Sequence, residues 1–107
     1  MIKRYASHYL CLPTKEIYRQ YIVEVEDGVV KSYYPLEGEI HSVNWLGGII
    51  VLSFRKDLRI EKEMSFKDFL FSLNSEHVRL PLYAYYLDGV DLQKLTLSSN
   101  ARLRRLD

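Results

Sequence analysis

Ile40-His41-Ser42-Val43-Asn44-Trp45-Leu46-Gly47-Gly48-Ile49-Ile50-Val51-Leu52-Ser53-Phe54 is the stretch on which the reading of the fold turns. It holds the only tryptophan and the only Gly-Gly pair of the chain, and it ends in a run of branched aliphatics. Two apolar runs separated by paired glycines predict a β-hairpin, because a tight turn needs positive φ at its centre. With Gly47-Gly48 as the turn, Trp45 is expected to face Ile50, Val43 to face Leu52, and His41 to face Phe54. Trp45 then anchors one buried face of a sheet. The other face, with Ser42, Asn44, Leu46, Ile49, Val51 and Ser53, is mixed and half covered.

Working outward, the next element upstream is a second hairpin. Ile17 to Glu26 alternates, with Tyr21, Val23 and Val25 on one side and Glu24 and Glu26 on the other. Asp27-Gly28 follows, and Val29 to Tyr34 resumes the pattern. A two-residue Asp-Gly loop predicts a type I′ turn and fixes register. Glu26 should face Val29, Val25 should face Val30, and Glu24 should form a cross-strand ion pair with Lys31. Before this hairpin, Arg4 to Leu12 reads as a strand that Pro13 and Thr14 end.

Downstream, Arg55 to Glu63 is charged and reads as a solvated edge strand or loop. Ser65 to Leu73 predicts one short helix: Ser65 can cap it, and Phe66, Phe69, Leu70 and Leu73 form an apolar stripe. Leu80 to Leu87 is an aromatic-rich strand expected to end at Asp88-Gly89. Leu92 to Leu97 fits no single pattern. Ser98-Ser99-Asn100 is turn chemistry, and Ala101 to Leu106 is a last short strand. The fold class is β-dominated, all-β or α+β: a small sandwich or partly open barrel built from hairpins, as a single domain over residues 1–107.

Composition narrows the function classes. At 107 residues and 48% hydrophobic, the chain can bury a real core without a metal or disulfide staple. Fifteen basic and 14 acidic residues leave a formal net charge of +1, so bulk attraction to nucleic acid or to anionic membrane is not expected. A single cysteine, Cys11, allows no intrachain disulfide and fits a reducing, cytoplasmic setting. The basic start lacks the apolar core of a signal peptide, and no apolar run approaches a membrane span.

No motif assigns a reaction. The three histidines, His8, His41 and His77, form no metal-ligand spacing with one another or with Cys11. On a strand, His8 and Cys11 point to opposite faces and make no local Cys–His dyad. The glycines give neither a dinucleotide fingerprint nor a P-loop. No catalytic, metal or cofactor residue is expected, and an enzyme is disfavoured. His41, on the expected face of Trp45, is the one candidate polar site. The nine tyrosines suit half-buried strands. Tyr83 and Tyr85 with Arg102, Arg104 and Arg105 form the candidate interaction surface, aimed at a protein partner or a second copy of the chain. Nucleic-acid binding through the same arginines is a less favoured alternative.

Several short strings also resemble a group of small uncharacterised bacterial proteins. These are His8-Tyr9, Val23 to Val25, Pro35 to Ile40, Trp45 to Leu52, and the Arg-Leu-Arg-Arg-Leu ending within Thr96 to Leu106. That group is similar in turn to the composite β-sandwich domain of metal-dependent amidohydrolases such as cytosine deaminases. The resemblance implies an accessory domain without its own metal site, since such enzymes work in a separate barrel that this chain has neither the length nor the H-x-H motif to form.

Overall fold

The computed structural model describes residues 2–14, 16–38, 42–56, 58, 81–91 and 96–107, with the backbone alone at 91 and 96–100. The described residues form a β-dominated fold with seven strands: β1 (Ile2–Cys11), β2 (Ile17–Glu26), β3 (Val29–Pro35), β4 (Val43–Trp45), β5 (Ile49–Ser53), β6 (Tyr83–Asp91) and β7 (Thr96–Arg105). All belong to one sheet of order β3-β2-β1-β5-β6-β7, with β4 set against β1. The expected helix over Ser65–Leu73, most of the charged Arg55–Glu63 stretch, and His41 lie outside the described residues.

The strand at the centre is β1. One edge pairs antiparallel with β2 along almost its whole length, from Ile2↔Glu26 to Cys11↔Ile17. The other edge pairs in parallel with β4 and then with β5. This corrects the expected hairpin at Gly47-Gly48. Trp45 lies beside Ala6, and Ile50 lies beside Leu10. Between Ala6↔Trp45 and Tyr9↔Ile49, β1 advances three residues (9 − 6) and its partner four (49 − 45). The extra residue makes a bulge in a nearly continuous line, and the glycines absorb it at φ 68° and 51°. Backbone bonds flank it, from Leu46 N to Ala6 O at 2.9 Å and from Tyr9 N to Gly48 O at 3.1 Å.

The Asp27-Gly28 turn forms as read, with both residues at positive φ (54° and 76°). Glu26↔Val29 and Val25↔Val30 pair as expected. The register then shifts, and Glu24 faces Ser32 instead of Lys31. Its ionic partner is on the other side: Arg4 Nε lies 2.7 Å from a Glu24 carboxylate oxygen, across β1–β2.

Strand β6 does not stop at Asp88-Gly89; it runs on to Asp91, with Gly89 at φ 83°. The Ser98-Ser99-Asn100 triplet is not a turn between elements but part of β7. Its turn chemistry still leaves a mark. Asp88 pairs with Arg102 and Val90 with Leu97, so two steps on β6 (90 − 88) meet five on β7 (102 − 97).

The sheet curls instead of splitting into two. Val30 N–H donates to Leu82 O at 2.8 Å, tying the start of β3 to the entry of β6. Inside lies a cluster around Leu10, Val23, Val25, Ile50, Leu52 and Ala84. A second cluster, with Cys11, Ile49, Val51, Tyr85 and Leu87, covers the opposite face. Every residue of β5 is therefore buried. Most tyrosines ring these clusters: Tyr5, Tyr18, Tyr21, Tyr33 and Tyr86 the first, Tyr9 and Tyr83 the second.

Candidate functional site

The expected surface of Tyr83, Tyr85, Arg102, Arg104 and Arg105 is divided by the alternation of β6 and β7. Tyr85 is 3% exposed and offers no surface. Its hydroxyl donates to Arg55 O at 2.6 Å and accepts from Leu58 N–H at 3.2 Å, so it closes the chain after β5 onto the sheet. Arg105 turns inward. Its guanidinium lies 4.6 Å from the ring centre of half-buried Tyr83 and donates to Gly28 O at 3.2 Å. Arg102 and Arg104 are exposed, and Arg104 sits 5.8 Å over Tyr86. Three arginines that look like one basic cluster in sequence thus become one structural residue and two surface cations.

The structure draws attention to a different place, the line where β2, β1 and the β4–β5 bulge cross. Residue 8 falls between Ser7↔Tyr21 and Tyr9↔Arg19, opposite Gln20. Gln20 holds φ 52° in mid-strand, and its carbonyl accepts from Leu36 N–H at 2.8 Å. On the other side of His8 stand Gly47 and Gly48, both at positive φ. Left-handed backbone costs a non-glycine residue roughly 1–2 kcal/mol, so Gln20, level with the two glycines across β1, marks a bend held by its surroundings. It also changes which side chains face the core. Tyr5 and Val23 pack into the first cluster on one side of the bend, and Leu10 and Tyr18 do so on the other, with opposite alternation.

The bend brings a run of side chains together. Trp45 and His8 meet edge to face, with centroids 5.1 Å apart and planes at 81°. A Cβ on Gly47 would stand 3.5 Å from the His8 ring. One on Gly48 would stand 3.0 Å from the Tyr86 hydroxyl, which donates to Leu46 O at 3.2 Å. Beyond Tyr86 comes Arg104. Trp45 and His8 thus meet beside Gly47, while Tyr86, with Arg104 over its ring, stands beside Gly48. Trp45 is 51% exposed. The expected core anchor is at the surface because β4 pairs with β1, next to Ala6, and not with β5.

The local chemistry is that of contact more than of reaction. Cys11 is fully buried, and burial pushes its thiol up to about 12, so it stays protonated. The most organised polar group is Glu24. Ser32 donates to it at 2.5 Å, Arg4 at 2.7 Å and Tyr34 at 3.2 Å. Ser32 first, and then Arg4, hold its carboxyl below the ordinary carboxylate range. A carboxylate so fully engaged ties three strands together and has no capacity left to act as a base. Among the described residues no cluster of His, Cys, Asp and Glu could hold a metal ion.

Sequence reasoning missed His8 and the exposure of Trp45 because both depend on a parallel pairing that no local pattern encodes. The signal available was the Gly-Gly pair, which serves a bulge as well as a turn. No family model, curated protein or solved structure matches the chain.

Proposed function

We propose that this chain is a non-catalytic interaction module whose contact surface is centred on Trp45. The observation that carries the reading is the 51% exposure of the only tryptophan, held on a strand by backbone pairing and braced by His8. An indole side chain buries roughly 150–250 Å² when enclosed. At about 25 cal/mol per Å², leaving half of it in water forgoes roughly 2–3 kcal/mol. A partner that covers the indole recovers that term, and rigid aromatic side chains of this kind dominate binding surfaces. The bend fixes the position of the group without ordering cost at the moment of binding.

The test is retention of cellular macromolecules on immobilised wild-type chain and on Trp45→Ala. Strand β4 joins β1 through its backbone, so the variant is expected to keep its circular dichroism and to lose the retained partner. A variant that folds and retains the same partners in the same amounts overturns the reading.

A further inference from the structure

Resting on that reading, we infer that the partner is an extended peptide segment, added as a further strand to the open edge of β4 with an apolar side chain set against Trp45. The ladder between β1 and β4 leads there. Leu46 N–H donates to Ala6 O at 2.9 Å, next to the pair Ala6↔Trp45. In a parallel ladder a residue bonds to the two neighbours of the residue it faces, so Asn44 and Leu46 carry the bonds to β1. The N–H and C=O of Trp45, and by the same alternation those of Val43, point away from β1. No strand among the described residues lies on that side, since β4 pairs with β1 alone. The open length ends at Leu46, whose carbonyl takes the Tyr86 hydroxyl at 3.2 Å. Backbone donors and acceptors therefore stand in line at an edge where Asn44 and Trp45 are exposed.

The other edges of the sheet are guarded. Strand β7 carries exposed Arg102 and Arg104, and β3 ends at Pro35 and is tied to the entry of β6 by the Val30–Leu82 bond. Strand β4 reads Val-Asn-Trp, with neither charge nor proline. The chemistry of this edge selects its occupant. Alternating N–H and C=O groups at strand spacing are matched by another peptide backbone, and by neither a phosphate chain nor a sugar. Side chains select further. Val43 and Trp45 share one face, so the added strand presents apolar residues at alternate positions there and polar residues beside Asn44. His8 braces the indole from β1, with the ring centres 5.1 Å apart. A second copy of this chain is the poorer occupant. It offers the same edge of 3 residues, and self-pairing over that length falls far short of the roughly 1,200–2,000 Å² that stable interfaces bury.

Amide exchange of the full chain, read by NMR, tests the edge residue by residue. In the free chain the amides of Val43 and Trp45 should exchange at least about tenfold faster than those of Asn44 and Leu46. A Trp45 amide already protected in the free monomer refutes the open edge. The probe is a capped peptide of about seven residues, alternating threonine and valine with a lysine at each end. It has no aromatic group, so the emission of Trp45 reports its binding. Saturating peptide should slow exchange at Val43 and Trp45 by about tenfold and leave Asn44 and Leu46 unchanged. A strand presents alternate amides to its two sides. Methylating the valine nitrogens alone, or the threonine nitrogens alone, should therefore weaken binding at least about tenfold in one case and less than about twofold in the other. Equal weakening by the two methylated peptides means contact with the indole without strand addition, and overturns the inference. So does unchanged exchange and emission at millimolar peptide. Dimerisation in sedimentation that protects the Val43 and Trp45 amides without peptide assigns the edge to a second copy and also overturns it. If the peptide fails while Trp45→Ala still releases a cellular partner, only this inference falls; if Trp45→Ala releases none, the interaction reading falls as well.

Discussion

At the scale of single residues, two groups with displaced titrations, Cys11 and Glu24, are structural, and each can be checked. Cys11 is sealed between β1 and the second cluster, with its thiol pushed up to about 12 by burial alone. It should resist thiol reagents at neutral pH and react at the rate at which the protein opens. Labelling kinetics in rising urea check this; rapid modification of native protein would contradict the burial. Glu24 works in the opposite direction. Its carboxyl is held low by Ser32, Arg4 and Tyr34. A group whose folded value lies below its unfolded value stabilises the fold fully above the unfolded value, near 4.3 for Glu. That contribution disappears as the pH falls through the folded value. Urea midpoints of wild type should therefore drop across that acid window. Those of Glu24→Gln should start lower at neutral pH and fall less. The exposed side of the Arg4 pair keeps the effect modest.

Elements show where sequence reading succeeds and where it stops. The Asp27-Gly28 hairpin was legible because its information is local: the turn residues carry the positive φ and the register follows. The prediction failed two residues later, where a bulge moved Ser32 opposite Glu24. Gly47-Gly48 was misread for a physical reason, since a hairpin turn and a bulge ask the same backbone freedom of glycine. Only the partner strand separates them, and β1 lies more than thirty residues upstream of β4 (43 − 11 = 32). Substitution distinguishes what each glycine contributes. Gly38 has φ 68° and open space, so Gly38→Ala should cost only the backbone term, about 1–2 kcal/mol. Gly48→Ala adds a Cβ 3.0 Å from a Tyr86 hydroxyl that is already committed to Leu46 O. It should cost distinctly more in chemical denaturation and should disturb the Trp45 environment. Equal losses at the two positions would show that the bulge has room that this packing denies it.

For the whole molecule, the consequential difference from expectation is that the sheet is covered on both faces. Alternation in β5 looked like one core face and one half-covered face, but Ile50 and Leu52 enter one cluster while Ile49 and Val51 enter the other. The run Ile49 to Leu52 is itself the pattern of a strand buried on both sides, and the hairpin reading of Gly47-Gly48 obscured it. The parallel pairing with β1 decides it, since parallel pairs belong in sheet interiors. Leu52→Ala should cost about 2–5 kcal/mol in either arrangement. Val51→Ala is the discriminating variant. It removes two methyl groups from a side chain with no exposure, which at about 0.8 kcal/mol for each carbon predicts a loss near 1.6 kcal/mol. A half-covered position would lose under about 0.5 kcal/mol. Denaturant midpoints for the two variants, taken at equal slope, therefore measure whether the second cluster is a core in its own right. A near-neutral Val51→Ala would reduce it to a surface layer, and the sheet to the one-sided form that its alternation suggests.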